Sequence, residues 1–419
     1  MNKTIRTGTR TGSIQIPSSK SIVHRLLICA ALGDQQAEIQ YSGMSKDIWA
    51  TICCLSALGA GISHTDRQIK VEPIDVRREQ SEEIILPVGE SGSTLRFMLP
   101  LAGALGRKAV YLMEGRLSAR PLSPFDRLLE EKGMKIRRNG DRLYSEGKLQ
   151  SGSYVLPGNI SSQYFSGLLM GLPILEGSSV MKSEGKLESA GYVRLTEDIL
   201  QAAHIYMERP DDVSWRIPGG QKTRMQTPVI SEGDWSNAAF FLCMGALSEK
   251  GICVSGLNLN SGQGDREVLQ ILKEFGARIS FEEEAVSVSL GEKHPLVIDA
   301  SDIPDLVPVV SVLCCAAKGR SEITHAARLR LKESDRLRSV SELIRSLGGE
   351  ITEHPSGLTI FGSGTLQGGT IDSSNDHRIA MSAAVAASLC ETPVTVLGSE
   401  CVEKSYPAFF DDMSSLTIN

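Results

Sequence analysis

Apolar residues along this chain gather in six runs that recur at nearly even spacing, and each run follows a short polar motif. The polar motifs begin at Ser18, Gly89, Gly158, Glu232, Asp302 and Asn375, so successive motifs start 69 to 74 residues apart. The runs cover residues 26–32, 97–105, 165–172, 238–247, 306–317 and 379–389. A run that is apolar on nearly every face predicts a buried helix. The even spacing predicts six copies of one structural repeat.

The segments between the runs predict the rest of the repeat. A β-rich stretch follows each run, and an amphipathic helix comes after it, as in 46–58, 122–132, 265–275 and 332–347. Two short alternating strands joined by a turn then precede the next strand and its polar motif. Each repeat is therefore predicted as βαβαββ.

Six repeats most simply form two similar domains of three repeats each. Each trio would bury its apolar helices and turn its sheets outward, as an inside-out α/β barrel, with the polar motifs at one face. We expect the N-terminal strand 13–16 to complete the last repeat, so that the domains comprise 1–18 plus 233–419, and 19–232. Two crossings between domains predict a hinge and an active site in the interdomain cleft.

Composition narrows the class of protein. The 419 residues carry a net charge of −6, which argues against nucleic-acid and membrane-surface partners. No apolar run is long enough to span a membrane. The nine cysteines form no C-x-x-C pair, which argues against zinc and disulfides. We expect a cytoplasmic protein.

The polar motifs are candidate anion sites. Hydroxyls, amides and glycines at a helix start leave backbone N–H groups free, and the helix dipole adds partial positive charge. Six such helix starts indicate a polyanionic ligand. The nucleotide-binding pattern G-x-x-x-x-G-K-[ST] is absent, and no His, Cys or Glu spacing suits a catalytic metal, so we expect neither cofactor nor metal.

Charged side chains concentrate at these motifs. The basic ones are Lys20, Arg25, Arg96, Arg120, Lys332, Arg336, Arg378 and Lys404. Arginine matches carboxylate or phosphate with its planar fork, and lysine can also donate or lose a proton. Asp305, Glu333, Asp376 and His377 lie among them. Asp305 is either a base held among cations or a helix N-cap, and His377 is either structural or catalytic.

With these residues assembled, the chain resembles the EPSP synthase (3-phosphoshikimate 1-carboxyvinyltransferase) family of enolpyruvyl transferases along essentially its full length. The matching motifs include Ser19-Lys20-Ser21 with Arg25, Gly89 to Arg96, Arg120-Pro121, Ser161-Ser162-Gln163, Lys332-Glu333-Ser334-Asp335-Arg336, Asp376-His377-Arg378 and Lys404-Ser405-Tyr406-Pro407. The family's fold, two domains of three repeats around buried helices, agrees with the repeat count above.

The resemblance implies two ligand sets and a reaction. Shikimate-3-phosphate would be bound by Lys20, Ser21, Arg25, Ser161, Ser162, Gln163, Ser189, Tyr192, Asp305 and Lys332. Phosphoenolpyruvate would be bound by Lys20, Gly92, Arg120, Gln163, Arg336, Arg378 and Lys404. The 5-hydroxyl would attack the enol carbon, and a tetrahedral ketal would expel phosphate. Lys20, Asp305 and Glu333 are the candidate catalytic residues, with their acid and base roles open, and Asp376 and His377 have supporting parts.

One departure and two alternatives remain open. Many relatives have an asparagine where this chain has Arg328, which would reach the phosphate or face solvent. The first alternative is the enolpyruvyl transferase that acts on UDP-N-acetylglucosamine. Its reactive cysteine has no counterpart between Arg107 and Arg120. The second is a non-catalytic repeat scaffold that binds anions. We expect a monomer with small-molecule substrates.

Overall fold

The computed structural model describes residues 1–75 and 82–419. The chain forms two compact units. One, the middle unit, comprises Ser18–Ser231; the other, the terminal unit, comprises Met1–Pro17 and Glu232–Asn419. Each unit has its own apolar core.

The described residues contain twelve α-helices. They are α1 Lys20–Ala31, α2 Lys46–Ala57, α3 Gly92–Ala104, α4 Phe125–Glu131, α5 Ser162–Gly171, α6 Ala190–Ala202, α7 Trp235–Ala246, α8 Val268–Phe275, α9 Val307–Ala316, α10 Arg336–Ser346, α11 His377–Ala386 and α12 Phe409–Ser415. Short 3₁₀ helices lie at Leu117–Ala119, Leu172–Ile174, Gly264–Glu267, Ala327–Leu331 and Ser399–Lys404.

The strands of the described residues number twenty-four. They are β1 Asn2–Ile5, β2 Arg10–Gln15, β3 Ala37–Gln40, β4 Gly61–His64, β5 Gln68–Glu72, β6 Ile84–Gly89, β7 Ala109–Met113, β8 Lys135–Asn139, β9 Arg142–Glu146, β10 Ser153–Pro157, β11 Ser179–Glu184, β12 Glu208–Asp211, β13 Ser214–Ile217, β14 Val229–Ile230, β15 Ile252–Ser255, β16 Arg278–Glu282, β17 Ala285–Ser289, β18 Val297–Asp299, β19 Gly319–Thr324, β20 Glu350–His354, β21 Gly357–Gly362, β22 Gly369–Asp372, β23 Val394–Leu397 and β24 Thr417–Ile418.

The six predicted apolar helices are confirmed as α1, α3, α5, α7, α9 and α11. Almost every residue of α7 and α9 is buried, including Phe240 and Leu313. A helix with no polar face is stable only inside a core, because any exposed side would place apolar surface in water. Three of these helices lie in each unit's core.

Three sheets in the middle unit repeat one topology. Their strand orders are β14-β3-β5-β4, β6-β7-β9-β8 and β10-β11-β13-β12. In each, the first two strands are parallel and the remaining pairs are antiparallel. A parallel pair needs a crossover connection, and α3 and α5 supply it for the second and third sheets.

The terminal unit also has three sheets, with orders β16-β17-β15-β2-β24, β18-β19-β21-β20 and β1-β23-β22. The prediction that strand 13–16 completes the last repeat is wrong. Residues 13–15 of that segment lie in β2, which pairs in parallel with β15, the strand after α7. The last repeat is completed by β1, which pairs antiparallel with β23. The short segment Asn2–Ile5 alternates too briefly to have been recognised as a strand.

The second, amphipathic helices lie in the predicted segments, as α2, α4, α8 and α10. The start of α10 differs from the prediction in a way that matters for function. The predicted helix 332–347 begins instead at Arg336, and Asp335 caps it by accepting a hydrogen bond from the backbone N–H of Arg338. Lys332 and Glu333 therefore lie in the turn before α10. Side chains in such a turn can point toward the helix start, where an anion is favoured.

Candidate functional site

In the middle unit, two of the three helix starts predicted as anion sites, those of α3 and α5, are capped by serine side chains. The Ser91 hydroxyl accepts a hydrogen bond from the N–H of Thr94 at the start of α3, and Ser161 accepts one from Gln163 at the start of α5. These caps satisfy one N–H at each helix start and leave others for a ligand.

Lys20, the first residue of α1, pairs with Asp47 of α2. Its Nζ lies 2.7 Å from Oδ2 of Asp47, and 17% of the lysine side chain is exposed. Asp47 is buried, so the pair holds the Lys20 ammonium in a fixed direction. Asp47 was not among the predicted site residues. It is the second residue of the predicted helix 46–58, and this first-turn position was the available signal.

Arg25 is a buried guanidinium whose main partners are protein groups. It donates to the Thr196 hydroxyl at 2.7 Å and to the backbone carbonyls of Ser21 at 2.6 Å and Tyr192 at 3.0 Å. A further bond reaches Ser166 at 3.2 Å. Burial lowers the pKa of Arg25 to about 10, although it stays charged at neutral pH. Arg25 therefore ties α1 to α5 and α6.

Gly92 lies against two guanidinium groups at the start of α3. A Cβ built on Gly92 would stand 2.6 Å from Nη1 of Arg120 and 2.6 Å from Nη1 of Arg96. Arg96 also donates to the Gly92 carbonyl oxygen at 3.1 Å. The missing side chain thus allows two positive charges to reach one helix N-terminus, an arrangement suited to an anion.

The remaining predicted residues of this unit lie at the starts of α5 and α6. Gln163 donates from Nε2 to the Ser93 hydroxyl at 2.9 Å, which joins the starts of α5 and α3. Ser162 is buried beside it. Ser189 is buried at the start of α6 with a φ of 53°, in the left-handed region. Backbone strain of this kind in a non-glycine residue is common at functional positions.

In the terminal unit, Arg336 binds three carboxylates. Its Nε lies 2.8 Å from Asp376, its Nη1 2.6 Å from Asp305 and its Nη2 2.7 Å from Glu333. The guanidinium is 1% exposed. A second bond from Nη2 reaches Asp376 at 3.4 Å, so four of the five N–H groups are engaged. Ser334 donates to Asp376 at 3.0 Å and fixes that carboxylate.

Asp305 lies among three cations. Its carboxylate is 2.6 Å from Arg336, 3.3 Å from Arg378 and 3.4 Å from Lys332. Burial alone would raise the pKa of Asp305, but the charges of Arg378, Lys332 and Arg336 outweigh it and hold the pKa well below its usual range. Asp305 is not the N-cap residue of α9, which is Leu306.

Burial lowers the pKa of Lys332 to about 8, and the charge of Asp305 opposes this shift only in part. Arg328 contributes to the lowering. Arg328 is half-buried and donates from Nη2 to the carbonyl oxygen of Ser301 at 2.5 Å. It therefore lies near Lys332 rather than pointing freely into solvent.

Lys404 and His377 complete this cluster. Nζ of Lys404 lies 3.9 Å from Oε1 of Glu333, and both side chains are largely buried. His377 opens α11 and its Nδ1 lies 3.9 Å from Asp376, whose carboxylate caps the helix through the N–H of Arg378. The position of His377 behind Asp376 suits a supporting part.

Asp265 was missed as a site residue, because its sequence position predicted only the start of an amphipathic helix. It lies instead in the 3₁₀ helix Gly264–Glu267 and is buried. Burial, and then the charge of Asp305, raise the pKa of Asp265 to about 6, while Arg378 opposes them. Asp265 is therefore part of the electrostatic surroundings of Asp305.

Residues 1–75 and 82–419 contain no group of three or more His, Cys, Asp or Glu side chains placed to hold a metal ion. Within the same ranges, every helix is too short or too polar to cross a bilayer.

Comparison with known proteins gives the family. A model of the family described as EPSP synthase (3-phosphoshikimate 1-carboxyvinyltransferase) matches residues 6–413. The 3-phosphoshikimate 1-carboxyvinyltransferase of Clostridium acetobutylicum is 42% identical over 409 residues, covering 97% of this chain and 95% of that protein. The protein of the same name from Clostridium kluyveri is 39% identical over 407 residues, with the same two coverages.

Two solved structures share the fold. The EPSP synthase from Acinetobacter baumannii has a TM-score of 0.80 at 24% identity, covering 100% of this chain and 99% of that chain. The enolpyruvyl transferase NikO from Streptomyces tendae also has a TM-score of 0.80, at 15% identity and with the same coverages. The family model and the clostridial relatives extend over nearly all of the sequence, and the chain belongs to the EPSP synthase family.

Proposed function

We propose that this chain transfers the enolpyruvyl group of phosphoenolpyruvate to the 5-hydroxyl of shikimate-3-phosphate and releases phosphate, a step of the shikimate pathway to chorismate and the aromatic amino acids. The observation that carries the proposal is the 42% identity to a 3-phosphoshikimate 1-carboxyvinyltransferase over almost the whole chain. The clusters of buried cations in both units support it, because both substrates are polyanions.

The proposed shikimate-3-phosphate residues divide between the units. Those of the middle unit are Lys20, Ser21, Arg25, Ser161, Ser162, Gln163, Ser189 and Tyr192, and those of the terminal unit are Asp305 and Lys332. Arg25 already donates to protein groups through Nε and both terminal nitrogens. It would therefore offer the ligand only the N–H that remains on Nη1.

The proposed phosphoenolpyruvate residues are Lys20, Gly92, Arg120, Gln163, Arg336, Arg378 and Lys404. Arg120 stands at the Gly92 end of α3, where the helix dipole and a guanidinium act on the same anion. Arg336 has one N–H left for a ligand while it binds its three carboxylates. A ligand carboxylate would gain a second bond from Arg336 by displacing Glu333.

Asp305 and Glu333 are the proposed proton-transfer groups, and Lys20 is proposed to polarise the bridging oxygen. The three cations that surround Asp305 keep it ionised, as a base requires. A base whose pKa is far below neutrality is weak, however. Substrate phosphates and carboxylates that share these cations would raise the pKa of Asp305 and strengthen it as a base in the complex.

Each step of the proposed reaction includes proton transfer. The 5-hydroxyl oxygen bonds to the enol carbon and loses its proton to a base, and the adjacent methylene gains a proton to become a methyl group. The ketal then loses a methyl proton and expels phosphate, which restores the double bond. Arg120, Arg336, Arg378 and Lys404 would stabilise the carboxylate and the departing phosphate.

The test is phosphate release from the purified protein mixed with shikimate-3-phosphate and phosphoenolpyruvate, without added metal or nucleotide. We expect one phosphate for each enolpyruvyl group transferred, and no release when either substrate is omitted. Absence of release with both substrates present would contradict the proposal and favour a non-catalytic anion-binding scaffold. Release with UDP-N-acetylglucosamine in place of shikimate-3-phosphate would favour the other enolpyruvyl transferase. The proposed enzyme is also expected to be a monomer located in the cytoplasm, and light scattering of the purified protein tests the monomer.

A further inference from the structure

Two neighbouring contacts join α1 to α2. Lys20 and His24 are four residues apart on α1, and Asp47 and Thr51 are four residues apart on α2, so each pair lies on one face of its helix. Lys20 pairs with Asp47 at 2.7 Å, and Nδ1 of His24 lies 2.7 Å from Oγ1 of Thr51. The second contact is thus one turn deeper than the proposed catalytic lysine.

Hydroxyl groups extend the second contact to α3. Oγ1 of Thr51 lies 2.7 Å from Oγ1 of Thr94, and Thr94 donates at 2.7 Å to Ser91, the residue that caps α3. Thr94 also donates, at 3.5 Å, to the backbone carbonyl of Asp47. We call His24, Thr51, Thr94 and Ser91 the hydroxyl relay. It ends one residue before Gly92.

The number of hydroxyl hydrogens decides which group donates in each hydrogen bond of the relay. A threonine hydroxyl has one hydrogen, and that of Thr94 is used toward Ser91 and, more weakly, Asp47. Thr51 must then donate to Thr94, and the Nδ1–H of His24 must donate to Thr51. The Nε2 atom of His24 is left without a hydrogen and has no hydrogen-bond partner among the described residues.

The relay is closed to water and uncharged. All four of its side chains are buried. Burial lowers the pKa of His24 to about 3, so the imidazole is neutral at any working pH and adds no charge beside Lys20. A buried chain of this kind is rigid when every link is satisfied, and loss of one link leaves the others unpaired.

We propose that His24 is a positioning residue, which through Thr51 and Thr94 holds the Lys20–Asp47 pair and the start of α3 as one preformed surface for the anionic substrate. The identity of that substrate rests on the proposed function. Small displacements of a positioned group weaken the interactions made in the transition state. A relay that served only to pack three helices would affect stability alone.

Thr51→Val is the central variant, because valine keeps the shape of threonine and removes the hydroxyl. We expect KM for phosphoenolpyruvate to rise about tenfold, with a smaller change in kcat. We also expect Lys20 to be acetylated faster than in the unmodified protein during a brief acetic anhydride pulse read by mass spectrometry, relative to the other lysines. This second measurement needs no turnover.

Tyr111→Phe is the matched control. It removes another buried hydroxyl of the middle unit, bonded to Ser145 at 3.2 Å on the β7–β9 pair, and lies outside the relay. We expect it to lower the unfolding temperature without changing KM or the labelling of Lys20. His24→Asn, whose amide nitrogen can occupy the place of Nδ1, should retain most of the affinity that His24→Leu loses.

A double-mutant cycle decides between positioning and packing. In a Lys20→Met background, Thr51→Val should have little further effect on substrate affinity, because the group that it positions is gone. Fully additive effects, or a Thr51→Val protein that loses stability with unchanged KM and unchanged Lys20 labelling, would overturn the inference. If the unmodified protein releases no phosphate, the proposed function fails, while Lys20 labelling still decides the inference.

Discussion

Nη2 of Arg336 lies 2.7 Å from Oε2 of Glu333, and the same guanidinium binds Asp305 at 2.6 Å. One buried cation therefore fixes both proposed proton-transfer groups. A ligand carboxylate that takes two N–H groups of Arg336 would compete directly with Glu333, because only one N–H is left over. Substrate binding and the freedom of Glu333 are thus linked through a single side chain.

Glu333→Gln should separate proton transfer from binding. The amide oxygen of glutamine can still accept from Arg336, but the side chain can neither give nor take a proton at neutral pH. We expect kcat to fall by about 10² to 10⁴, with KM for both substrates changing by less than about threefold. Steady-state phosphate release measures both constants. A change confined to KM would reassign Glu333 to binding.

Lys20→Met should weaken both ligands and the chemistry together. One ammonium is proposed to serve both anions, and its removal also leaves Asp47 buried without its 2.7 Å partner. We expect kcat/KM to fall by at least about 10³. Lys148→Met provides the control, since that lysine is exposed and pairs with Glu176 at the surface. Near-normal turnover in Lys20→Met would remove Lys20 from the catalytic set.

The affinity for shikimate-3-phosphate should depend on pH through Lys332. Its pKa of about 8 means that the ammonium is charged below that pH and neutral above it. We expect affinity to fall as pH rises through about 8, and Lys332→Arg, which stays charged, to abolish that decrease. Calorimetric titration between about pH 6.5 and 9.5 measures the effect. The same decrease in Lys332→Arg would assign it to another group.

Gly92→Ala should affect phosphoenolpyruvate selectively. The added methyl group would stand 2.6 Å from the Arg120 and Arg96 guanidinium groups, which must move aside. We expect KM for phosphoenolpyruvate to rise about tenfold, and the dissociation constant of shikimate-3-phosphate to stay within about twofold. Equal losses for the two substrates would indicate a general disturbance of α3.

Asp265→Asn should stabilise the protein in a pH-dependent way. The folded-state pKa of about 6 is raised above that of an exposed aspartate, so folded Asp265 retains its proton as the unfolded chain releases it. The contribution of Asp265 to stability is therefore present at low pH and is lost as pH rises through about 6. We expect no gain near pH 4 and a gain on the order of 1 to 3 kcal/mol near pH 8. Urea unfolding at both values measures it, and an equal gain at both would refute the electrostatic cause.

The repeat was predictable because burial of a whole helix leaves a clear signal in sequence. The runs that became α7 and α9 have no polar face, and runs of about ten such residues are typical of helices buried in a core. The strand β1 gave no such signal. Its four residues, Asn2–Ile5, pair with β23 almost four hundred positions later, and pairing at that distance depends on the finished fold.

The candidate site also contains residues that could be predicted from the sequence and residues that could not. Residues at helix starts, such as Lys20 and Arg378, could be found because polar motifs precede apolar runs. Two of the acidic residues around them could not be found from the sequence. Asp47 and Asp265 read as ordinary first-turn acids, and only three-dimensional packing brings them to Lys20 and to the surroundings of Asp305. The hydroxyl relay joins α1, α2 and α3, which no local pattern connects.

The pairing of β1 with β23 and of β2 with β15 has a consequence for biosynthesis. The strands β1 and β2 leave the ribosome well before their partners, Val394–Leu397 and Ile252–Ser255. All strands of the middle unit's three sheets have been translated once Ile230 emerges. The nascent chain can therefore complete the middle unit while β1 and β2 are still unpaired, and the terminal unit can close only after β23 has emerged.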